Sequence, residues 1–344
     1  MRAAALALAL LAGACGPQRR QWRPPSDAPA DGATSFGVVP ASADFYIAPD
    51  ARAPTVSFAS TQATRAPWLS DEVVAVRVIG QRRGWVAVET LGDDGAAHCA
   101  PPRPALRGLR LRLYVHARAL GAVTVREVDQ RFPDGTSIHL ARGVPLAGAG
   151  SGRLFRVQLG EVNTVVRLDP NAVGTRYLPS PPVEPGPPAG WLSGDALRAG
   201  VPILGQTGRV QTSEAEANTL VYAVEAAGSE ARVELRPRCG RLRVRVPAHV
   251  VRSADDLITG EATATPPDPP FAEPGTPLFW PGGREAGTVT ERIGLGPDVE
   301  STVDLRCFAR ALRARAEPSV VLCVRRESLA EPGAAARGLA PPGR

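Results

Sequence analysis

Leu109-Arg110-Leu111-Arg112-Leu113-Tyr114-Val115 decides how this chain folds. Apolar and polar residues alternate strictly, and a period of two puts the leucines on one face of an extended strand and Arg110 and Arg112 on the other. The pattern returns at Arg241-Leu242-Arg243-Val244-Arg245-Val246, where Arg241, Arg243 and Arg245 form a second stripe. Outward from these two segments, nearly every apolar run is short, β-branched or alternating: 44–47, 72–79, 85–90, 122–128, 153–159, 162–168, 219–224, 231–235, 287–292, 302–306 and 320–324. These are strand signals, and no helical period persists for three turns. Phe132-Pro133-Asp134-Gly135-Thr136 sets Asp-Gly between two such runs, the composition of a tight hairpin turn. The fold class expected is all-β, built from many short strands.

Composition agrees. The 344 residues include 35 Gly and 35 Pro, which favour turns over long helices. Aromatic residues make up only 5%, so Ala, Val and Leu must fill several small cores rather than one large one. All 40 basic residues are Arg, and without Lys no Schiff-base, Walker-type or Ser-Lys chemistry is open to the chain. A net charge of +6 is too small to point to nucleic acid.

The amino terminus reads as an export signal over residues 1–14: Arg2 supplies a positive start, and an apolar run too short to span a bilayer follows. Leu11-Ala12-Gly13-Ala14-Cys15-Gly16 resembles a bacterial lipobox, so Cys15 is expected to carry the lipid and anchor the chain to a membrane. Ala12 stands where the lipobox prefers Leu. The competing reading is an ordinary A-x-A cleavage site that leaves Cys15 a free thiol. Residues 15–35 are polar and Pro-rich and read as a tether of roughly 25 Å reach.

Four cysteines remain, an even number suited to an oxidising compartment. Cys307 and Cys323 have a spacing that fits neighbouring strands, and this pair is expected first. Cys99 and Cys239 pair only if distant parts of the chain pack together, and the other connectivities stay open. A zinc site lacks its spacing, since there is no C-x-x-C and no H-x-x-x-H.

An internal repeat is visible. Gly143-Val144-Pro145-Leu146, Gly200-Val201-Pro202-Ile203 and Gly275-Thr276-Pro277-Leu278 share one form. Segments 112–115, 175–178, 243–246 and 321–324 read as strands that close successive units. Four β modules are therefore expected, at 36–118, 119–190, 191–264 and 265–330, with Pro-rich linkers at 179–190 and 265–275 and a disordered tail at 331–344. Units this small are expected to close into barrels, because an open sheet of two or three strands leaves its edges exposed.

The segment Asp44-Phe45-Tyr46-Ile47-Ala48-Pro49-Asp50-Ala51, followed by 73–80 and by Gly84-Trp85-Val86-Ala87-Val88, resembles the bacterial SH3-like domain over residues 38–90. The later modules keep only the Gly-x-Pro turn. The resemblance implies small five- or six-stranded barrels that bind peptides or cell-wall material, or that serve as spacers in envelope proteins. As a whole the chain is similar to an exported SH3-domain lipoprotein of a GC-rich Gram-negative bacterium. By the same analogy, Gly16 in place of an Asp points to the outer membrane, facing the periplasm or the cell surface.

No catalytic residue, cofactor or metal is assigned. The four histidines are scattered, and no G-x-S-x-G announces a nucleophile. Ser137 and His139 near Asp134 have triad residue types but sit beside a hairpin turn, where polar residues belong in any case. Ligand contacts are expected at Tyr46, Trp68 and Trp85, which would line a shallow groove. Alternatively, Trp85 plugs its barrel while Tyr46 and Trp68 lie exposed. Arg110, Arg112, Arg243 and Arg245 either meet an anionic partner, such as lipopolysaccharide phosphate or peptidoglycan carboxylate, or form solvated outer faces. The function expected is that of a non-enzymatic envelope lipoprotein binding a cell-wall or envelope-protein partner. A purely structural spacer and an envelope hydrolase are the alternatives.

Overall fold

A computed structural model describes residues 34–58, 73–91, 98–99, 106–133, 135–148, 153–159, 162–179, 186–193, 202–203, 208–210, 219–254, 270–295, 298–299, 301–310 and 320–330. Cys15, Trp68, Asp134, the expected signal peptide and the 331–344 tail lie outside the described residues. The described chain is all-β, in several antiparallel sheets. Among the described residues no helix is long and apolar enough to cross a membrane.

The elements fall into four successive stretches, each with a 3₁₀ turn after its last long strand. The first holds β1 (Ser35–Pro40), β2 (Phe45–Tyr46), β3 (Thr55–Val56), β4 (Val73–Arg82), β5 (Trp85–Thr90) and β6 (Leu109–His116), then a 3₁₀ turn at Ala117–Ala119. The second holds β7 (Ala122–Thr124), β8 (Val128–Arg131), β9 (Ser137–Leu140), β10 (Pro145–Gly148), β11 (Leu154–Leu159) and β12 (Val162–Arg167). A 3₁₀ turn at Pro170–Ala172 and β13 (Val173–Gly174) complete it. The third runs through β14 (Gly190–Leu192), β15 (Pro202–Ile203), β16 (Gly208–Val210), β17 (Thr219–Val221), β18 (Ala223–Ala227), β19 (Glu230–Leu235) and β20 (Gly240–Pro247). It ends with a 3₁₀ turn at Ala248–Val250 and β21 (Val251–Ser253). The fourth has β22 (Phe271–Ala272), β23 (Pro277–Phe279), β24 (Glu285–Val289), β25 (Ile293–Gly294), β26 (Leu305–Arg310) and β27 (Val320–Arg325). Its 3₁₀ turn is Arg326–Ser328, followed by β28 (Leu329–Ala330).

In each unit the segment after the 3₁₀ turn returns to the strand that opened it. β13 pairs with β7, β21 with β14 and β28 with β22, while in the first unit Gly121 N–H donates to the Val38 carbonyl at 2.8 Å. The Gly-x-Pro repeat has a structural meaning too. Pro145, Pro202 and Pro277 are each the first residue of a strand, where a missing N–H costs no ladder bond. Gly143 and Gly275 precede them with φ of 85° and 87°, a conformation that favours glycine.

The units are not independent beads. β6 of the first pairs with β24 of the fourth, so one ten-stranded sheet and one apolar core serve both. β9 of the second pairs with β20 of the third, and those two units share a second core. At the β6–β24 seam Gly287 has φ of 151°, and a β-carbon there would run into the Arg110 carbonyl oxygen. The seam closes only because residue 287 has no side chain.

Several sequence expectations shift. Ser35 already belongs to β1, so the tether does not extend through it. β1 carries no alternation because both its faces are covered: Val39 belongs to the first core, and Val38 packs with Val123 and Tyr177 of the second unit. Phe271 and Ala272, placed in a linker, form β22. Segment 175–178 does not close the second unit. That role falls to β12, and Tyr177 instead bridges antiparallel to Phe36. The hairpin at 132–136 is present, joining β8 to β9 with Gly135 at φ 82°.

Candidate functional site

The first candidate surface grows out of a tight turn. Arg83 and Gly84, with φ of 49° and 82°, link β4 to β5 with both central residues left-handed, as a two-residue hairpin requires. Trp85 then opens β5. Val86 and Val88 point inward and are fully buried, so Trp85 points to the outer face and is only half-buried. Its register partner on β6 is His116, and the two rings stack with centroids 4.0 Å apart and an interplanar angle of 29°. Tyr46 on β2 stands opposite Tyr114 of β6 and meets Trp85 edge-on at 5.0 Å and His116 at 5.7 Å. The outcome is an aromatic shelf of Tyr46, Trp85, Tyr114 and His116.

The shelf corrects the expectation that Trp85 plugs the barrel while Tyr46 is exposed. Trp85 is the outward ring, and Tyr46, at 9% exposure, is packed against it. The barrel is filled instead by aliphatic side chains, together with Phe45 and Phe58 in edge contact at 4.7 Å. Tyr114 and His116 were legible only as the outward alternates of the β6 pattern.

Arg110 and Arg112 share that outer face with the shelf residues of β6. Arg112 lies 3.4 Å from Glu89 of β5 and 4.0 Å from Glu285 of β24, and Glu89 also takes Arg77 at 3.6 Å. Arg110 lines a recess of 240 Å³ together with Phe36, Arg77, Glu89 and His98. Arg112 is therefore flanked by carboxylates on both neighbouring strands.

On β20 the stripe is split. Glu234 of β19, only 4% exposed, accepts from Arg236 Nε at 2.7 Å and from Arg243 Nε at 3.1 Å. Burial pushes the Glu234 carboxyl up, but the two arginines outweigh it and hold it below the ordinary carboxylate value. Arg245 pairs with Glu230 at 3.5 Å. His139 Nδ1 sits 2.9 Å from Asp129 Oδ1, so Asp129 of β8 is a partner of His139.

The cysteines join as Cys99–Cys239 and Cys307–Cys323. Cys307 and Cys323 are direct register partners on β26 and β27. Cys99 lies beyond β5 in the first unit and Cys239 in the turn before β20, where it takes a φ of 62°. Beside this bridge His98, 4% exposed, shares a hydrogen bond of 3.0 Å with the Tyr177 hydroxyl, and Phe36 packs on the His98 ring at 4.4 Å. Burial raises the Tyr177 hydroxyl well above its ordinary value, partly offset by Arg238. Residues from three units thus meet at one buried joint. Among the described residues no group of three His, Cys, Asp or Glu side chains is placed to hold a metal ion.

No protein-family model, no curated protein and no solved structure matches the chain.

Proposed function

We propose that this chain is an exported, lipid-anchored envelope protein of SH3-like units that works by binding a cell-wall or envelope-protein partner rather than by catalysis. The observation that carries this reading is the shelf: Trp85 stacked on His116, with Tyr46 edge-on, on the outer face of the first unit. In a chain with so few aromatic residues, three rings gathered outside the core are a poor use of packing and a good use of contact area. The two disulfides accord with an oxidising compartment outside the cytoplasm. The return of the segment after each 3₁₀ turn to its opening strand supports the SH3-like reading of all four units.

Retention on purified peptidoglycan and cross-linking to envelope extracts test the proposal. Wild-type protein is expected to be captured, and Trp85→Ala is expected to lose that capture while keeping the wild-type melting point. Capture no better than that of an unrelated β protein in both assays refutes the binding role. A second reading, a rigid spacer, draws on the strand pairings that join the first unit to the fourth and the second to the third. It predicts no difference between wild type and Trp85→Ala in either assay. Metabolic labelling with a fatty acid tests the anchor: incorporation lost in Cys15→Ser supports it, and unchanged incorporation overturns it.

A further inference from the structure

The five-stranded sheet β18-β19-β20-β9-β8 buries one face in the second core and turns the other to an open cleft of 640 Å³ between the β8–β9 hairpin and β20. The register sets its floor in two rows. Asp129, His139 and Arg241 lie side by side in one, and Arg131, Ser137 and Arg243 in the next. Their neighbours along the strands, Ile138, Leu140, Leu242 and Val244, are buried at 1% exposure or less. A rigid packed layer therefore holds the polar rows in place.

The charges in these rows are unevenly satisfied. Asp129 is taken by His139, and Arg243 by Glu234. Arg131 and Arg241 form an ion pair with no described residue, although both line the cleft. A third guanidinium, that of Arg232, reaches the hairpin turn and comes within 3.7 Å of the position a β-carbon would take at Gly135. The Arg241–His139 edge of the cleft and the Arg131–Ser137 edge are adjacent rows. By strand geometry the Arg131 and Arg241 Cα positions are about 12 Å apart. Two extended guanidiniums across that gap can close on a single ligand carrying two or three anionic centres. Ser137, directly opposite both Arg131 and Arg243, adds a neutral hydroxyl between them.

We propose that this cleft binds an oxyanion-bearing ligand, a short chain of phosphate or carboxylate groups, held by Arg131 and Arg241. Planar guanidiniums suit both chemistries because each presents two parallel N–H donors to two oxygens. The site lies on the second and third units and does not depend on the aromatic shelf. Its ligand would offset the repulsion among guanidiniums that have no ion-pair partner among the described residues.

Isothermal titration calorimetry of the full chain tests this, with tripolyphosphate and a short oligoglutamate as probes, at low salt and at about 0.15 M. Binding of at least one probe is expected, weakening with salt. Arg131→Gln combined with Arg241→Gln is expected to lower affinity by roughly tenfold or more, while Arg112→Gln, whose arginine is already engaged by Glu89, leaves it within about twofold. Tighter binding of tripolyphosphate assigns phosphate, and tighter binding of oligoglutamate assigns carboxylate. No binding of either probe at low salt, or equal weakening by Arg112→Gln, overturns the proposal. The double variant's circular dichroism and melting point are expected to match wild type because both side chains are exposed.

Discussion

Strands β6 and β20 carry almost the same pattern, Leu-Arg-Leu-Arg-Leu against Arg-Leu-Arg-Val-Arg-Val, and both bury their aliphatic alternates completely or nearly so. Their outer faces behave differently because their neighbours differ. β6 lies between β5, which brings Glu89, and β24, which brings Glu285, so Arg112 has carboxylates on either side. β20 has carboxylates on its β19 side only, from Glu234 and Glu230. On the other side β9 offers Ser137 and His139, and no acid. An arginine stripe is thus neutralised or left available by the strand beside it, a property of the pairing and not of the stripe.

The largest effect should come from the two disulfides, Cys99–Cys239 tying the first unit to the third and Cys307–Cys323 lying within the fourth. In the chain-entropy model the 140-residue separation of Cys99 and Cys239 is worth about 5 kcal/mol, and the 16-residue separation of Cys307 and Cys323 about 3 kcal/mol. Replacing each pair by Ser and measuring denaturant midpoints under oxidising conditions should reproduce that order. The reverse order would show that the joint around His98 and Tyr177 stays packed without its bridge.

Next in size is the seam. Gly287→Val is expected to destabilise by roughly 3 kcal/mol or more, since the β-carbon meets the Arg110 backbone and the φ is unsuited to a branched residue. Gly148→Ala, on β10 with open space around it, is the control and should stay within about 0.5 kcal/mol. Equal urea midpoints for the two variants would mean that β6 and β24 do not depend on each other.

A smaller effect separates the two acids. Glu234→Gln leaves Arg236 and Arg243 without their buried partner and should cost roughly 1–3 kcal/mol. Glu89→Gln, more exposed, should cost about 1 kcal/mol or less. The folded-state value of Glu234 lies below its unfolded value, so its contribution is complete above the ordinary carboxylate range and is lost as pH falls through that range toward the folded value. Melting points measured across acidic pH should therefore converge for wild type and Glu234→Gln at the acid end. Parallel curves would assign the loss to packing alone.

The strands were legible wherever one face met a core and the other met water, which is why β5, β6, β11 and β20 follow their alternation. β1 was not, because Val38 and Val39 are buried on opposite faces and the period of two disappears. The segment around Tyr177 has the composition of a closing strand. Its buried ring instead serves a contact with Phe36 that no local pattern announces. Trp85 and Tyr46 were legible as a pair and inverted in burial, since alternation starting from Val86 fixes the direction of Trp85 more firmly than its hydrophobicity does. The partners that decide the chemistry, Glu234 for Arg243 and Asp129 for His139, and the placing of Arg131 beside Ser137, depend on strand register across long separations. Register is invisible until the sheets are assembled.

Pairing of the first unit with the fourth also fixes an order of events. The β6 edge waits for β24, and contacts of that sequence span slow the search for the native state. A chain that crosses a membrane amino terminus first would present its opening unit, with the β6 edge uncovered, until nearly all the rest has followed. During that interval the second and third units already have each other through β9 and β20. The molecule should therefore assemble from the middle outward, and its first-made unit should be the last to become native, and the one most in need of a chaperone.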